Sequence, residues 1–209
     1  MAANKVIFKN SFDIKVSRAF YRYYTLKHST FMYFLIAMGL VSILYMGLNK
    51  FQFDNSFSTI LIWSIASIGI IFMPAYTFAS IMSSARRDKK KRGNQTEIYE
   101  LTKEKIERRV EGVSGKYAVN WASIESVVEA KNAYFFFTLE QEAFTIGKAG
   151  LIEGSLEQVR HLIKTYVPAG KNGKVPFIIK DKELKKELKL RKKEKKLQEK
   201  ENNKKWTNI

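Results

Sequence analysis

The 209-residue chain contains no cysteine, two histidines and three prolines. Without Cys there is no disulfide framework, no thiolate metal site and no thiol nucleophile. His28 and His161 lie far apart in the sequence and leave little material for a zinc or acid–base centre. Acid is scarce as well: 20 Asp and Glu stand against 37 Lys and Arg, for a formal net charge of +17. A charge of that size invites a nucleic-acid reading, so where it sits along the chain decides what it means.

Two long runs carry no charge at all. The first is "FMYFLIAMGLVSILYMGL", Phe31 to Leu48. As a helix rising about 1.5 Å per residue it spans roughly 27 Å, close to the ~30 Å hydrocarbon core of a bilayer. The second, Phe57 to Met82, is longer and has Trp63 and Tyr76 available as interfacial anchors. These runs predict a transmembrane hairpin, 31–48 and 57–82, turned at "NKFQFDNS", Asn49 to Ser56. Gly39, Ser42, Ser64, Ser67 and Gly69 are small enough to let two helices approach closely in lipid. Pro74 is expected to kink the second helix or to mark its approach to the interface. The first thirty residues are long, aromatic and basic and do not read as a cleavable signal, so the first span is expected to be retained.

The charge is grouped around these runs. Residues 1–30 hold six Lys and Arg against Asp13, and "SSARRDKKKRG", Ser83 to Gly93, holds six against Asp88. The loop between the runs holds only Lys50 and Asp54. Residues 94–179 carry eleven basic and eleven acidic side chains, and residues 180–209 carry thirteen and six. The part of the chain with a domain-like pattern is therefore neutral, which argues against a nucleic-acid-binding fold, since such a fold carries its basic stripe on the domain. Basic outer flanks with a neutral loop match the positive-inside pattern and place both termini in the cytoplasm. Arg86, Arg87, Lys89, Lys90, Lys91 and Arg92, together with Arg18 and Arg22, are the expected contacts with anionic headgroups.

Before the first span, "KVIFKNSF" has the composition of a strand, and "DIKVSRAFYRYYTLKHS" reads as a basic, aromatic helix. That helix either lies along the membrane interface or simply extends the first span. After Gly93 the pattern turns to short strands: "TEIYELT", "KIERRVEG", "KYAVNW", "SIESVVEA", "AYFFFTLE" and "AFTIGKA", separated by turns at "GVSGK", "AKNA" and "EQEA". The block closes on "GSLEQVRHLIKTYVP". Ser155 and Gln158 form a capping-box pattern there, while Leu156, Val159, Leu162, Ile163 and Tyr166 share one helical face. Strands followed by one amphipathic helix predict a small α+β domain with an antiparallel sheet.

A membrane hairpin followed by "GVSGKYAVNWASIESVVEAKNAYFFFTLEQEAFTIGKAGL" and a terminal helix resembles the YcxB-like family of bacterial membrane proteins. The likeness rests on Trp121 and Ile124, on the aromatic strand Tyr134 to Leu139, and on the step Ile146-Gly147-Lys148. In that step Gly stands where the family pattern has Pro. The resemblance implies a pleckstrin-homology-like (PH-like), partly open barrel capped by the final helix, with Trp121, Ile124, Ile146 and Lys148 as structural residues. Residues 94–168 are short for a complete barrel, so the N-terminal strand is expected to complete it across the hairpin. The resemblance gives architecture and no chemistry.

No catalytic, cofactor or metal motif is present: there is no GxxxxGK[ST], HExxH, GxSxG or Cys/His cluster. Glu140 and Glu142 read as a solvated hairpin tip. Glu125 and Glu129, four apart on an alternating strand, are expected to point the same way with no partner of catalytic type. The expected organisation is a strand and interfacial helix in 1–30, the hairpin in 31–82, a cytoplasmic domain in 94–168 and a solvated, partly helical basic tail in 169–209. The expected function is a non-catalytic binding or scaffolding module held at the inner leaflet. Its expected partners are anionic lipid and an unidentified membrane or cytoplasmic protein. Two other readings are a self-protection protein against a membrane-active peptide, by analogy of fold, and an accessory subunit of a transport or signalling complex.

Overall fold

A computed structural model describes residues 5–48, 57–140, 142–170, 172–190 and 194. The Asn49–Ser56 turn, the His28 side chain and the tail beyond residue 190, apart from Glu194, lie outside the described residues. The chain forms two compact units, one made of Met1–Ser11 with Asn94–Ile209 and the other of Phe12–Gly93.

The first unit is α+β. Strand β1 (Val6–Ser11) is followed, beyond the other unit, by β2 (Thr96–Leu101), β3 (Lys105–Val110), β4 (Tyr117–Asn120), β5 (Ile124–Glu129), β6 (Ala133–Thr138), β7 (Ala143–Gly147) and β8 (Leu151–Glu153). Helix α5 (Leu156–Tyr166) and strand β9 (Phe177–Ile179) complete it. One sheet has the order β4-β3-β2-β1-β8 and the other β7-β6-β5-β9. Neighbours pair antiparallel, except β9, which runs parallel to β5. The N-terminal strand does join the domain. β1 lies between β2 and β8, with Ser11 opposite Thr96, so both chain crossings to the other unit leave from one end of the sheet.

The domain is wider than 94–168. It takes in β1 and also β9, whose Phe177, Ile178 and Ile179 pair with Val127, Val128 and Glu129. Composition conceals β9 because a three-residue strand behind Pro176 is too short to show a periodicity of its own.

The two sheets face each other across an apolar core. Val6 and Phe8 of β1, Tyr99 and Leu101 of β2, Val127 of β5, Tyr134 and Phe136 of β6, and Phe144 and Ile146 of β7 all belong to it. Phe144 stacks on Phe136 at 5.0 Å and on Tyr99 of the opposite sheet at 6.0 Å. Helix α5 closes the core with Val159, Leu162 and Ile163. Its start shows the predicted capping box, in which the Ser155 hydroxyl accepts from Gln158 N–H and the Gln158 side chain accepts from Ser155 N–H. All six residues of β6 are buried.

The second unit is helical. α1 (Ile14–His28) starts on an Asp13 cap, and α2 (Thr30–Leu48) follows after a bend of 69° at Ser29. α1 is thus a separate helix and not a straight extension of the first apolar run. Ser17 donates to the Asp88 carboxylate at 3.2 Å, which ties α1 to the last turns of α4 (Met73–Arg92).

The second apolar run does not end at Met82. α3 (Phe57–Ser67), a π-helical turn at Ile68–Phe72 and α4 make one helix of 36 residues, so the basic stretch forms its final turns. At about 1.5 Å per residue the whole helix reaches roughly 54 Å, well beyond a bilayer core. The π turn answers Pro74. Proline offers no N–H to the preceding turn, and its ring crowds the carbonyl four residues back. Widening the ladder, so that Met73 N–H bonds Ile68 O, relieves the clash without stopping the helix.

By length and composition, Phe57–Arg92 is one helix apolar enough to cross a membrane. The bent pair Ile14–Lys27 and Thr30–Tyr45 makes a second if each pair counts as one span.

Candidate functional site

Charge is concentrated in a buried cluster of the α+β unit and at the basic end of α4 in the helical one.

The cluster begins with a bulge. β5 shifts register between Ile124 and Ser126, so Ile124 and Val127, three apart, both reach the core. The same shift separates the two glutamates. Glu125 stays exposed, whereas Glu129 shares the inward face of Val127 and is fully buried. The expectation that they point the same way is overturned, because strict alternation fails across a bulge.

Glu129 is met from three sides. Arg160 of α5 donates from Nε at 3.0 Å to one carboxylate oxygen and from Nη2 at 2.9 Å to the other. Lys148 Nζ lies 2.8 Å from Oε1, and Tyr134 O–H donates to the same oxygen at 3.2 Å. Lys148 also stands 5.2 Å above the Tyr134 ring, within cation–π range. Burial alone would raise the Glu129 pKa, but the bonds from Arg160 and Lys148 outweigh it and hold the carboxyl below its ordinary value. The same contact raises Arg160, and burial with the nearby carboxylate pushes Tyr134 well above the ordinary phenol range. A carboxylate so held is a fixed anion and not a proton donor at neutral pH. Chemically the cluster is a pin, joining β5, the turn after β7, and α5.

Of the motif residues Trp121, Ile124, Ile146 and Lys148, only Lys148 belongs to this pin. Trp121 is buried in the 3-10 turn before β5, its Nε1–H donating to Thr102 O at 2.9 Å and its ring against Tyr166 of α5. Ile124 and Ile146 are core residues. Lys148 meets Glu129 in the pin itself.

Gly147 has its own reason. With the amide oriented by its partners, the Asn10 side chain donates to Gly147 O and accepts from Gly147 N–H, each at 3.0 Å. Asn10 thereby links β1 of one sheet to the end of β7 in the other. Proline at 147 would lack that N–H. Gly150 is equally constrained, since a Cβ there would lie 2.4 Å from Lys9 O.

Most of these residues fall in one stretch. The sequence model of the YcxB-like protein family matches residues 101–163. That segment is YcxB-like. It includes all of the Glu129 cluster, but it leaves out Asn10 of β1 and the strand β9. No curated protein and no solved structure matches the chain.

Outside the YcxB-like segment, the structure gathers the expected basic residues on helices. Arg86, Arg87, Lys89, Lys90 and Lys91 lie on α4 with their charged ends open to the surface, and Arg92 is half-buried. On α1, Arg22 is exposed, whereas Arg18 is half-buried, its buried Nε lacking a hydrogen-bond partner. Asp88, the acid within the run, is turned toward Ser17 of α1.

The small residues act as the sequence suggests at one point above all. A Cβ at Gly69 would lie 2.3 Å from Leu35 O and 3.1 Å from Gly39 Cα, so α2 and the π turn touch backbone to backbone there. Ser42 and Ser64 instead bond the carbonyls one turn back, Met38 and Ile60, within their own helices. Tyr117 O–H donates to Glu142, so the hairpin tip is only partly free. His161 is exposed on the polar face of α5. Among the described residues, no group of three or more His, Asp or Glu is placed to hold a metal.

Proposed function

We propose that this is a non-catalytic integral membrane protein whose YcxB-like domain is a binding or scaffolding module on the cytoplasmic side of a bacterial inner membrane. The observation that carries this reading is the surface of the long helix. Only 17% of its most apolar window is buried, whereas the core helix of a soluble protein is mostly covered. Phe57, Ile60, Ile71, Phe72 and Phe78 stand more than half exposed. Water would penalise so much open apolar surface, and lipid would not. The basic final turns of the same helix match the positive-inside pattern, which favours both termini in the cytoplasm.

The two facing sheets closed by α5 support the PH-like reading of the domain. In the YcxB-like segment, the titratable cluster is spent on holding the fold, which favours binding over catalysis. The pinned frame leaves the surface, and not the buried charges, as the place where a partner would act.

The test starts with membranes washed in alkaline carbonate. An integral protein stays in the pellet, and release into the supernatant would overturn the membrane reading. Affinity purification in mild detergent then compares the full chain with one ending at Leu190, which keeps β9. A discrete protein partner recovered with both forms would identify the scaffolding role and show that the tail is dispensable for it.

A further inference from the structure

One face of α4 changes character along its length. Ala79, Met82, Ser83, Arg86, Arg87 and Lys90 line an open groove of about 380 Å³. At about 100° per residue these six positions fall within an arc of roughly 140°, a single face of the helix. Its upper part is apolar, with hydroxyl-bearing Ser83 in the middle and three cations below. No acid shares it. Asp88 projects to the far side of the helix, where Ser17 holds it, next to fully buried Ala85.

We infer that this face is a discrete site for one anionic phospholipid. The assignment rests on the membrane reading above. An acyl chain would lie along Ala79 and Met82, and the phosphate would meet Ser83, Arg86 and Lys90. Arg87 would close the polar end while one of its nitrogens holds Ser84 at 3.2 Å. The order of groups along the groove, apolar, hydroxyl, cation, is the order along a phospholipid from tail to headgroup. Charge complementarity selects an anionic headgroup over a zwitterionic one, because three cations converge with no carboxylate on the face to balance an amine. The volume suits one headgroup and not a diffuse ionic layer.

The alternative is generic attraction, in which every Lys and Arg of the run counts alike. Lys89 and Lys91 separate the two ideas, since both belong to the same run and neither lines the groove, each falling just beyond one edge of its arc. The full chain is reconstituted in nanodiscs of phosphatidylcholine with a minority of phosphatidylglycerol, then extracted in mild detergent. Native mass spectrometry counts the phosphatidylglycerol retained per protein. The pair Arg86→Gln and Lys90→Gln is expected to lower retention on the order of ten-fold, as two surface charges would. The charge-matched pair Lys89→Gln and Lys91→Gln, which does not line the groove, is expected to change it by less than about two-fold, against the equal loss that generic attraction requires.

Equal losses in the two pairs, or no loss in either, would overturn the site while leaving an integral membrane protein intact. Release of the wild-type chain by carbonate would instead remove both the site and the reading beneath it. Restored retention in Arg86→Lys with native Lys90 would show that charge on this face is what the lipid reads.

Discussion

Arg160 grips Glu129 through two different nitrogens, Nε at 3.0 Å and Nη2 at 2.9 Å, and so fastens the closing helix to the bulged strand. The carboxylate is fully buried, and the two cations that face it are nearly so. A buried charge with its partners in place roughly balances its desolvation, but removing one member leaves the others exposed to the full cost. Glu129→Ala strands both Lys148 and Arg160. Its unfolding free energy is expected to fall by about 3–5 kcal/mol, the range for breaking a buried ion pair. Urea titrations of wild type and variant in the same detergent, read by circular dichroism, measure the difference.

The same cluster sets an acid limit. Because Glu129 is held below its ordinary value when folded, its contribution is fully present above the unfolded carboxylate pKa, near 4.5. It is lost as pH falls from there through the depressed folded value. The stability gap between wild type and Glu129→Gln is therefore expected to stay constant from neutrality down to mildly acidic pH, then to close in strong acid. A gap that widens on acidification would contradict the ionised state of the carboxylate. Thermal unfolding of both proteins across this pH range provides the comparison.

Asn10 and Gly147 predict a coupling that single substitutions would not reveal. Gly147→Pro removes the N–H that Asn10 uses, and Asn10→Ala removes the acceptor. Each is expected to destabilise the domain by about 0.5–1.5 kcal/mol, the net worth of a hydrogen bond between half-buried groups. The double variant is expected to cost clearly less than the sum. A double-mutant cycle by urea unfolding measures the shared term, and strict additivity would show that the two residues act separately.

Gly150→Ala tests the same junction by volume. The new methyl would meet Lys9 O at 2.4 Å, so β1 must move. Overpacking of this kind costs about 1–3 kcal/mol. Hydrogen exchange at β1 amides is expected to rise well above that at β6, because the nearest atoms to the new methyl belong to Lys9 and Asn10 of β1. Uniform acceleration across both strands would point to global loss of stability instead.

In the helical unit, Gly69→Leu is expected to separate α2 from the π turn, because the backbone of Leu35 already occupies the space of any side chain. The native chain has no cysteine, so an introduced pair reports cleanly. Thr77 Oγ1 lies 3.1 Å from Met32 Sδ, which makes Met32→Cys with Thr77→Cys a suitable reporter for a short thiol crosslinker. Crosslinking is expected to be efficient when Gly69 is kept and weak when Gly69→Leu is added. Equal yields would show that the helices are held together elsewhere.

What sequence alone determined was local. The uncharged lengths of the two runs predicted helices there, and alternation with turn chemistry located β1 to β7. The Ser155–Gln158 spacing located the start of α5. Each of these signals is carried by neighbours a few residues apart, so a periodicity of two or of 3.6 exposes it. The value of small Gly39 and Gly69 was legible for the same reason, since their size is a property of the residue itself.

Only tertiary structure decided the rest. A one-residue bulge sends Glu129 inward and Glu125 outward, and no local pattern announces a register shift. Lys148, Arg160 and Glu129 come from three elements whose meeting depends on how α5 settles on the sheets. β1 reaches β2 and β8 across 82 intervening residues of the helical unit, Phe12 to Gly93. The basic run proved to be helix because the chain passed Pro74 by widening one turn, a choice set by packing as well as by the proline. Charge pairing and register are long-range relations, and a sequence names the partners without stating who meets whom.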